Sequence, residues 1–509
     1  MFRFLGCVCF VTFCSAAWAQ PAYFESLADG RSLDGWFQTE LRFNQLDAFS
    51  VDNVGTRSDQ RRWQTGLMRL GLRYVPNPSV EFTVAGEVRS NRLWGDESRF
   101  GLEVDEEVFR QPRDADQPRL IWMPRALNLK VMTAIGQLSC GHQAIDWGTG
   151  FLVNGGARDV DFGDGWSANL VERCAFGSKP FSAVPDLTIF IAGDLVWRDE
   201  NAELLDGDRA FGGTLGVLYK TTRLTIGNFN AYRYQSDRDD PLFPEDESTY
   251  AKVLTTDIYV RWRMYRGLGG RQITWASEAA LIVGKTTRPY LEETYADGAS
   301  VQGVGALTHL IYEDQHLTAK FESGYASGDD DSRDDTVRVF SFHSSHQVGM
   351  ILFDHVLPLM SARSVDRLMD RDLLNVPPPS TRFTVAQGGV TNAYYVHPVV
   401  KLRPYEFLEF RLGYVYARSA ADFIDMYQTG IRGGYNTTVG GQQPGGRGLG
   451  HEFDFGMHYT FFGRQLAAST ERLRLRAGFE AANWIPGDAF AGVIEGPLYM
   501  TRLLFGLRW

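Results

Sequence analysis

The sequence predicts an all-β protein, a transmembrane antiparallel up-and-down β-barrel of about 18 strands with long external loops. Three observations favour this class: segments of about ten residues alternate apolar and polar side chains, short turns alternate with long polar stretches, and the chain ends on an aromatic strand. Beyond the N-terminal leader, no segment is long and apolar enough for a transmembrane helix, so strands must do the crossing. A barrel of about 16 strands is the alternative.

The clearest alternation lies in the segments 257–265, 406–418 and 451–461. In the first of them every second side chain is apolar, and the polar side chains between them include Arg261 and Arg263. Side chains that alternate with period two lie on opposite faces of a strand. We therefore expect the apolar set to face lipid and the polar set to face the lumen.

Short and long polar connections alternate along the chain, as periplasmic turns and external loops do in outer-membrane barrels. The short connections are 76–79, 220–223, 266–270, 313–316 and 403–406, and the long ones are 94–124, 235–250, 286–300 and 419–448. With both termini in the periplasm, this alternation accommodates about 18 strands. The strand with the weakest pattern is 142–153.

The two ends of the chain carry the features of an exported barrel. Arg3, the apolar run 4–13 and the small residues at 17 and 19 predict a signal peptide, 1–19, for Sec-type export. A periplasmic segment, 20–35, would precede the barrel, 36–509. The last strand places Tyr499, Thr501, Leu503, Phe505, Leu507 and Trp509 on one face. We expect the barrel assembly machinery to recognise this strand in a Gram-negative outer membrane, where lipids and lipopolysaccharide surround the barrel.

Composition narrows the chemistry. Cys140 and Cys174 are the two cysteines beyond the signal peptide, and the oxidising periplasm permits a disulfide between them if they meet. The net charge is -11 and no basic tail favours nucleic acid as a partner. The stretch 343–346 offers serine beside histidine, but adjacent strand residues point to opposite faces, so we expect no enzyme activity and no cofactor or metal.

One segment departs from the strand pattern. Within the external insert 328–389, the apolar residues of 348–372 follow helical spacing rather than alternation, and three prolines follow at 377–379. The sequence therefore predicts a helix at 348–372. Two arrangements stay open: the insert folds into the lumen as a plug or gate, or it caps the surface by packing on neighbouring loops.

Three short motifs resemble the alginate-export porin family, mainly in the C-terminal third of the chain. They are the Y-A-S-G-D run in 321–330, the glycine, glutamate and aspartate of 450–454 with Tyr459, and the hairpin 476–488. The upstream G-R-Q-type strand of that family is only echoed at 136–143, without its arginine. The resemblance implies an eighteen-stranded passive conduit for an anionic polysaccharide, lined by arginines and served by periplasmic export proteins.

The alternation itself predicts an arginine-rich lumen. The candidate substrate-path residues are Arg261, Arg263, Lys401, Arg403, Arg411, Arg472, Arg474, Arg476, Glu452 and Asp454. Guanidinium groups bind carboxylates in two-point contacts, which favours an outer-membrane channel for export or diffusion of an anionic polysaccharide or another anionic solute. Alternatively, arginine–acid pairs only brace the wall. A plugged barrel would then anchor a trans-envelope adhesion or motility complex in the outer membrane.

Overall fold

The structure is a computed structural model that describes residues 32–100, 120–236, 250–287, 298–368, 384–461 and 473–509. The predicted signal peptide, 1–19, lies outside these ranges. Eighteen strands form one closed antiparallel barrel in which β1 pairs with both β2 and β19, so the predicted fold class is confirmed. Closure removes every open strand edge from the wall.

The strands follow the wall of the barrel in chain order. They are β1 (Ser32–Leu46), β2 (Arg62–Asn77), β3 (Val80–Gly95), β4 (Ile121–Met132), β5 (Gln137–Ile145), β6 (Asn169–Ser178), β7 (Leu187–Arg198), β8 (Arg209–Lys220), β9 (Leu224–Ser236), β10 (Tyr250–Arg266), β11 (Gln272–Thr286), β12 (Ala299–Glu313), β13 (Leu317–Ala326), β14 (Thr336–Val337), β15 (Ala393–Tyr405), β16 (Leu408–Ser419), β17 (Gly448–Phe461), β18 (Arg474–Pro486) and β19 (Leu498–Arg508). The two-residue β14 pairs in parallel with β12 inside a loop and is not counted among the eighteen.

The wall has two different faces because the side chains alternate. On β19, Leu503 and Phe505 are exposed on the outside, while Arg502 and Leu504 are buried on the inside. At one end of the barrel, hereafter the short-turn end, turns of two to eight residues join the strands, except for the longer connection 462–473 between β17 and β18. The first residue of β1 and the last residue of β19 also lie at this end. The opposite end, the long-loop end, carries the longer connections. Short and long connections therefore alternate along the chain as the sequence predicts.

Two predicted boundaries are wrong. The barrel begins by residue 32 rather than 36, because Ser32–Gly35 continue the ladder opposite the long strand β2. The predicted strand 142–153 ends at Ile145, where the chain leaves the wall and enters the lumen. Gly148 and Gly150 have positive φ angles of 54° and 82°, which a pleated strand does not accommodate.

The insert between β13 and β15 contains helix α1, Leu357–Leu368, which lies within the predicted range 348–372 and follows one wide helical turn, Leu352–Val356. Residues 369–383 lie outside the described ranges. The connection from β13 to β15 runs from 327 to 392, slightly beyond the predicted 328–389. A second helix, α2 (Met426–Ile431), packs against α1. In the described part of the chain, no helix is long and apolar enough to cross a membrane.

The structure joins Cys140 to Cys174 in a disulfide between directly opposed residues of β5 and β6. We expect the Cys140→Ser, Cys174→Ser double variant to assemble, because the ladder already holds these strands together. When gel samples are heated stepwise, the fast-running band of the folded barrel should disappear at a lower temperature than in the wild type. The loss of stability should stay below about 4 kcal/mol, the chain-entropy limit for a loop of this length. Failure to assemble would show that the disulfide is needed earlier, during folding.

Candidate functional site

A long segment between β5 and β6 folds back into the barrel; we call residues 146–168 the lumen loop. Wall arginines hold its backbone. Arg42, Arg69 and Arg411 donate hydrogen bonds to the carbonyl oxygens of residues 163, 166 and 161, at 2.8, 3.1 and 2.7 Å. The guanidinium of Arg42 also lies 4.3 Å from the centre of the Trp166 ring. The loop is therefore fixed to the part of the wall that runs from β16 to β2, and it narrows the lumen there.

One side chain of the lumen loop binds two wall lysines. The carboxylate of Asp161 pairs with Lys320 and, at 2.6 Å, with Lys401. Burial opposes ionisation of Asp161, but the two ammonium groups outweigh it and hold the pKa of this carboxyl well below its usual value. Because a lowered pKa keeps the group ionised down to acidic pH, this anchor should be lost only as the pH falls through that value.

The first turn of the lumen loop rests on two buried wall carboxyls. The indole N–H of Trp147 donates to Asp257 at 2.7 Å, and the backbone N–H of Thr149 donates to Glu278. The second oxygen of each carboxyl group has no hydrogen-bond partner in the described structure. Gly148 lies against Glu278 so closely that a Cβ atom would collide with the carboxylate.

We expect Gly148→Ala to displace this turn, since a side chain at positive φ costs about 1–3 kcal/mol before the collision is counted. The barrel should still assemble. When gel samples are heated stepwise, its fast-running folded band should disappear several degrees below the temperature found for the wild type. Gly193→Ala is the matched control, because a Cβ there would meet no atom of the described residues within 4 Å. Equal behaviour of the two variants would contradict the proposed seat of the loop.

An apolar core fills the lumen towards the long-loop end. It joins the insert, the lumen loop and the wall, and it contains the buried residues Leu46, Trp63, Phe151, Phe340, Phe342, Val348, Met350, Ile351, Leu352, Phe353, Val356, Tyr395, Val415, Trp484, Phe490 and Met500. Of the two arrangements that the sequence left open, packing inside the barrel is therefore the one observed. Such a core is held by the burial of apolar area and by close packing.

Glu452 fastens the insert to the wall. Its carboxylate accepts hydrogen bonds from the backbone N–H groups of Met350, Ile351 and Leu352, the latter two at 2.8 and 2.9 Å. Asp454, two residues along β17, is buried, and no described residue donates a hydrogen bond to either of its carboxylate oxygens. Three amide donors on one carboxylate form a strong, charge-assisted contact.

Glu452 and Asp454 do not lie beside Arg474 and Arg476 of the next strand, although all four are candidate substrate-path residues. The register sets Arg476 opposite Thr460, eight residues along β17 from Glu452. At about 3.3 Å per residue, the two charged groups stand roughly 26 Å apart along the strand. Glu452 therefore holds the insert, whereas Arg474 and Arg476 lie towards the short-turn end.

A partly open cavity lies on the short-turn side of the lumen loop. Its lining includes Arg42, Arg411, Arg476 and Arg508 together with loop residues 156–163. Arg42 and Arg411 are paired with Glu40 and Glu409, at 2.6 and 2.7 Å. Arg476 and Arg508 take part in no ion pair among the described residues. The described lining also carries the carboxylates of Glu40, Asp159, Asp161 and Glu480, so its six arginines exceed its four acids by two.

The other predicted path residues divide by environment. Arg261 and Arg474 are exposed, Arg263 donates to the carbonyl of residue 222 in a short turn, and Arg403 binds Glu409 at 2.8 Å. Arg472 lies outside the described residues. Much of the remaining arginine set braces the wall, as the pairs Arg69–Glu87, Arg73–Glu81 and Arg173–Asp194 do. Wall-bracing pairs are thus observed for these arginines, and the substrate path along the others stays a prediction.

The lumen loop was missed from the sequence. Its glycine density between 148 and 165, which interrupts a weak strand pattern, was the available indication of a backbone that leaves the wall. No group of three or more histidine, cysteine or acidic side chains in the described ranges is arranged to hold a metal ion.

The barrel is similar to solved structures of bacterial proteins. Pseudomonas aeruginosa OccD3 (OpdP) matches over 96% of this chain and 96% of its own, with a TM-score of 0.51 and 10% identity. Pseudomonas aeruginosa OpdK, solved with vanillate, matches over 94% of this chain and 98% of its own, with a TM-score of 0.50 and 13% identity. No protein-family model and no curated protein matches the sequence. At these identities the likeness establishes a shared barrel fold.

Proposed function

We propose that this chain is an outer-membrane channel for the diffusion of small anionic solutes. The observation that carries the proposal is the cavity beside the lumen loop, whose described lining holds six arginines and four acids, with Arg476 and Arg508 in no ion pair among the described residues. Within a narrow lumen with low-dielectric walls, unpaired positive charge attracts anions and raises their local concentration. The apolar outer surface of the strands and the predicted signal peptide support a location in the outer membrane of a Gram-negative bacterium.

Two further observations favour a small carboxylate over a polymer. The apolar core and the lumen loop occupy much of the lumen, and a polysaccharide chain would need a continuous path past both. The neighbour OpdK was solved with vanillate, an aromatic carboxylate. The anionic polysaccharide and the export proteins implied by the alginate-export resemblance stay predictions.

The apolar core also favours a second function. If the insert stays in place permanently, the barrel is plugged, and it would anchor a trans-envelope complex in the outer membrane. Glu452, fixed to three amide groups of the insert, supports this alternative.

Planar-bilayer recording distinguishes the two functions. For a channel we expect discrete conductance steps, a reversal potential shifted towards that of the anion in a salt gradient, and a concentration-dependent reduction in current by small carboxylates. Purified, heat-modifiable barrel that gives no conductance steps would support the plugged anchor instead.

A further inference from the structure

Two lysines stand side by side on the outer surface of the barrel near its long-loop end. Lys252 of β10 lies directly opposite Lys285 of β11, and both are exposed. Each occupies an outward position, because the outward residues Leu254 and Leu281 lie two and four positions away on the same strands. The pair therefore points away from the lumen and into the surroundings of the barrel.

The height of the pair matches the surface of a bilayer. Below Lys252, the outward positions of β10 run through Leu254 and Ile258 to Trp262, all exposed. The ten residues from Lys252 to Trp262 span about 33 Å along the strand, or about 25 Å along the barrel axis at the usual tilt. That distance equals the height of the apolar band of a transmembrane barrel. The lysines consequently lie level with the lipid headgroups at the long-loop end.

The immediate surroundings of the pair are aromatic. The ammonium group of Lys252 lies 4.5 Å from the ring centre of Tyr250 and 5.7 Å from that of Tyr234. Neither lysine forms an ion pair with any residue that the structure describes. Like charges on directly opposed strand positions destabilise a sheet, so an anion held between them would remove that cost.

We propose that Lys252 and Lys285 bind the phosphate group of a membrane lipid, with the acyl chains lying along the apolar band below. At the external face of an outer membrane that lipid is lipopolysaccharide, so the identity of the lipid rests on the proposed location but not on the channel activity. The rings of Tyr234 and Tyr250 give this site a polar and aromatic edge at the headgroup level. The alternative partners of the two lysines, in place of a lipid phosphate, are carboxylates of segments 237–249 and 288–297, which lie outside the described residues.

The test compares lipid retention by the wild type with that of the Lys252→Gln, Lys285→Gln double variant. Both proteins are extracted from outer membranes in mild detergent and examined by native mass spectrometry for bound lipid A-containing species. We expect retention by the wild type and at least a tenfold loss in the double variant. The Lys252→Arg, Lys285→Arg variant should retain the lipid, since it keeps both charges.

Arg418→Gln is the matched control, because Arg418 is an exposed outward cation at the same end of β16 and faces Tyr394 rather than a second cation. It should retain lipid as the wild type does. Unheated gel mobility confirms that each variant is assembled, and conductance should be unchanged in all of them.

Delipidated protein then distinguishes the source of the phosphate. Lipid A in mixed micelles should raise the unfolding temperature of the wild type but not of the double variant, and inorganic phosphate should have no such effect. Equal protection by inorganic phosphate would overturn the lipid as occupant. Equal lipid retention by the wild type and the double variant would overturn the site. The site would also be overturned if the wild type binds no lipid and the double variant is less stable than the wild type in detergent. That result would indicate that the two lysines pair with carboxylates of the protein.

Discussion

The Arg476→Gln, Arg508→Gln double variant should lose most of its preference for anions. We expect the anion-to-cation permeability ratio, measured from the reversal potential in a salt gradient, to fall by about tenfold. The reason is that both guanidinium groups line the cavity and neither takes part in an ion pair among the described residues. Removing them therefore lowers the positive charge of the path without leaving a buried carboxylate unpaired.

Arg173→Gln provides the contrast. Arg173 is buried and pairs with Asp194 at 2.5 Å, away from the cavity lining. Breaking a buried pair costs about 3–5 kcal/mol, so this variant should unfold at a lower temperature while its reversal potential stays unchanged. If the double variant behaves in the same way, its arginines also brace the wall, and the plugged anchor becomes the better function.

Replacing residues 348–368 with a short glycine–serine linker should raise single-channel conductance several-fold. This segment supplies much of the apolar core that fills the lumen near the long-loop end. The barrel should still assemble, because β13 and β15 pair directly with each other from Leu317 to Ala326 and do not depend on the insert between them. Unheated gel mobility measures assembly, and planar-bilayer recording measures conductance.

Glu452→Ala tests the same point with a single substitution. Loss of the carboxylate leaves three buried amide groups of the insert without an acceptor, at about 1–3 kcal/mol each. We expect brief openings to a higher conductance rather than a steady increase. Unchanged conductance in both variants would show that the insert does not block the path, and loss of assembly would show that it supports the wall.

The sequence by itself determined the barrel. One face of each strand meets lipid and the other meets the lumen. Apolar and polar residues must therefore alternate along each strand, as they do in the segment 451–461. The turns are also local, because a few polar residues suffice to reverse the strand, as at 220–223. Strand number and the inward position of Arg411 and Arg476 follow from these two local rules.

Only the tertiary structure decided what occupies the lumen. The contacts that hold the lumen loop and the insert join residues about 100–250 positions apart, and many of them use backbone carbonyl or amide groups, which every sequence contains. The strand register then decides which arginine meets an acid of the next strand: Arg69 lies opposite Glu87 and pairs with it, whereas Arg476 lies opposite Thr460, eight residues along β17 from Glu452. Alternation gives the face of each charged side chain, but its partner depends on height in the barrel and on the segments that fold back inside.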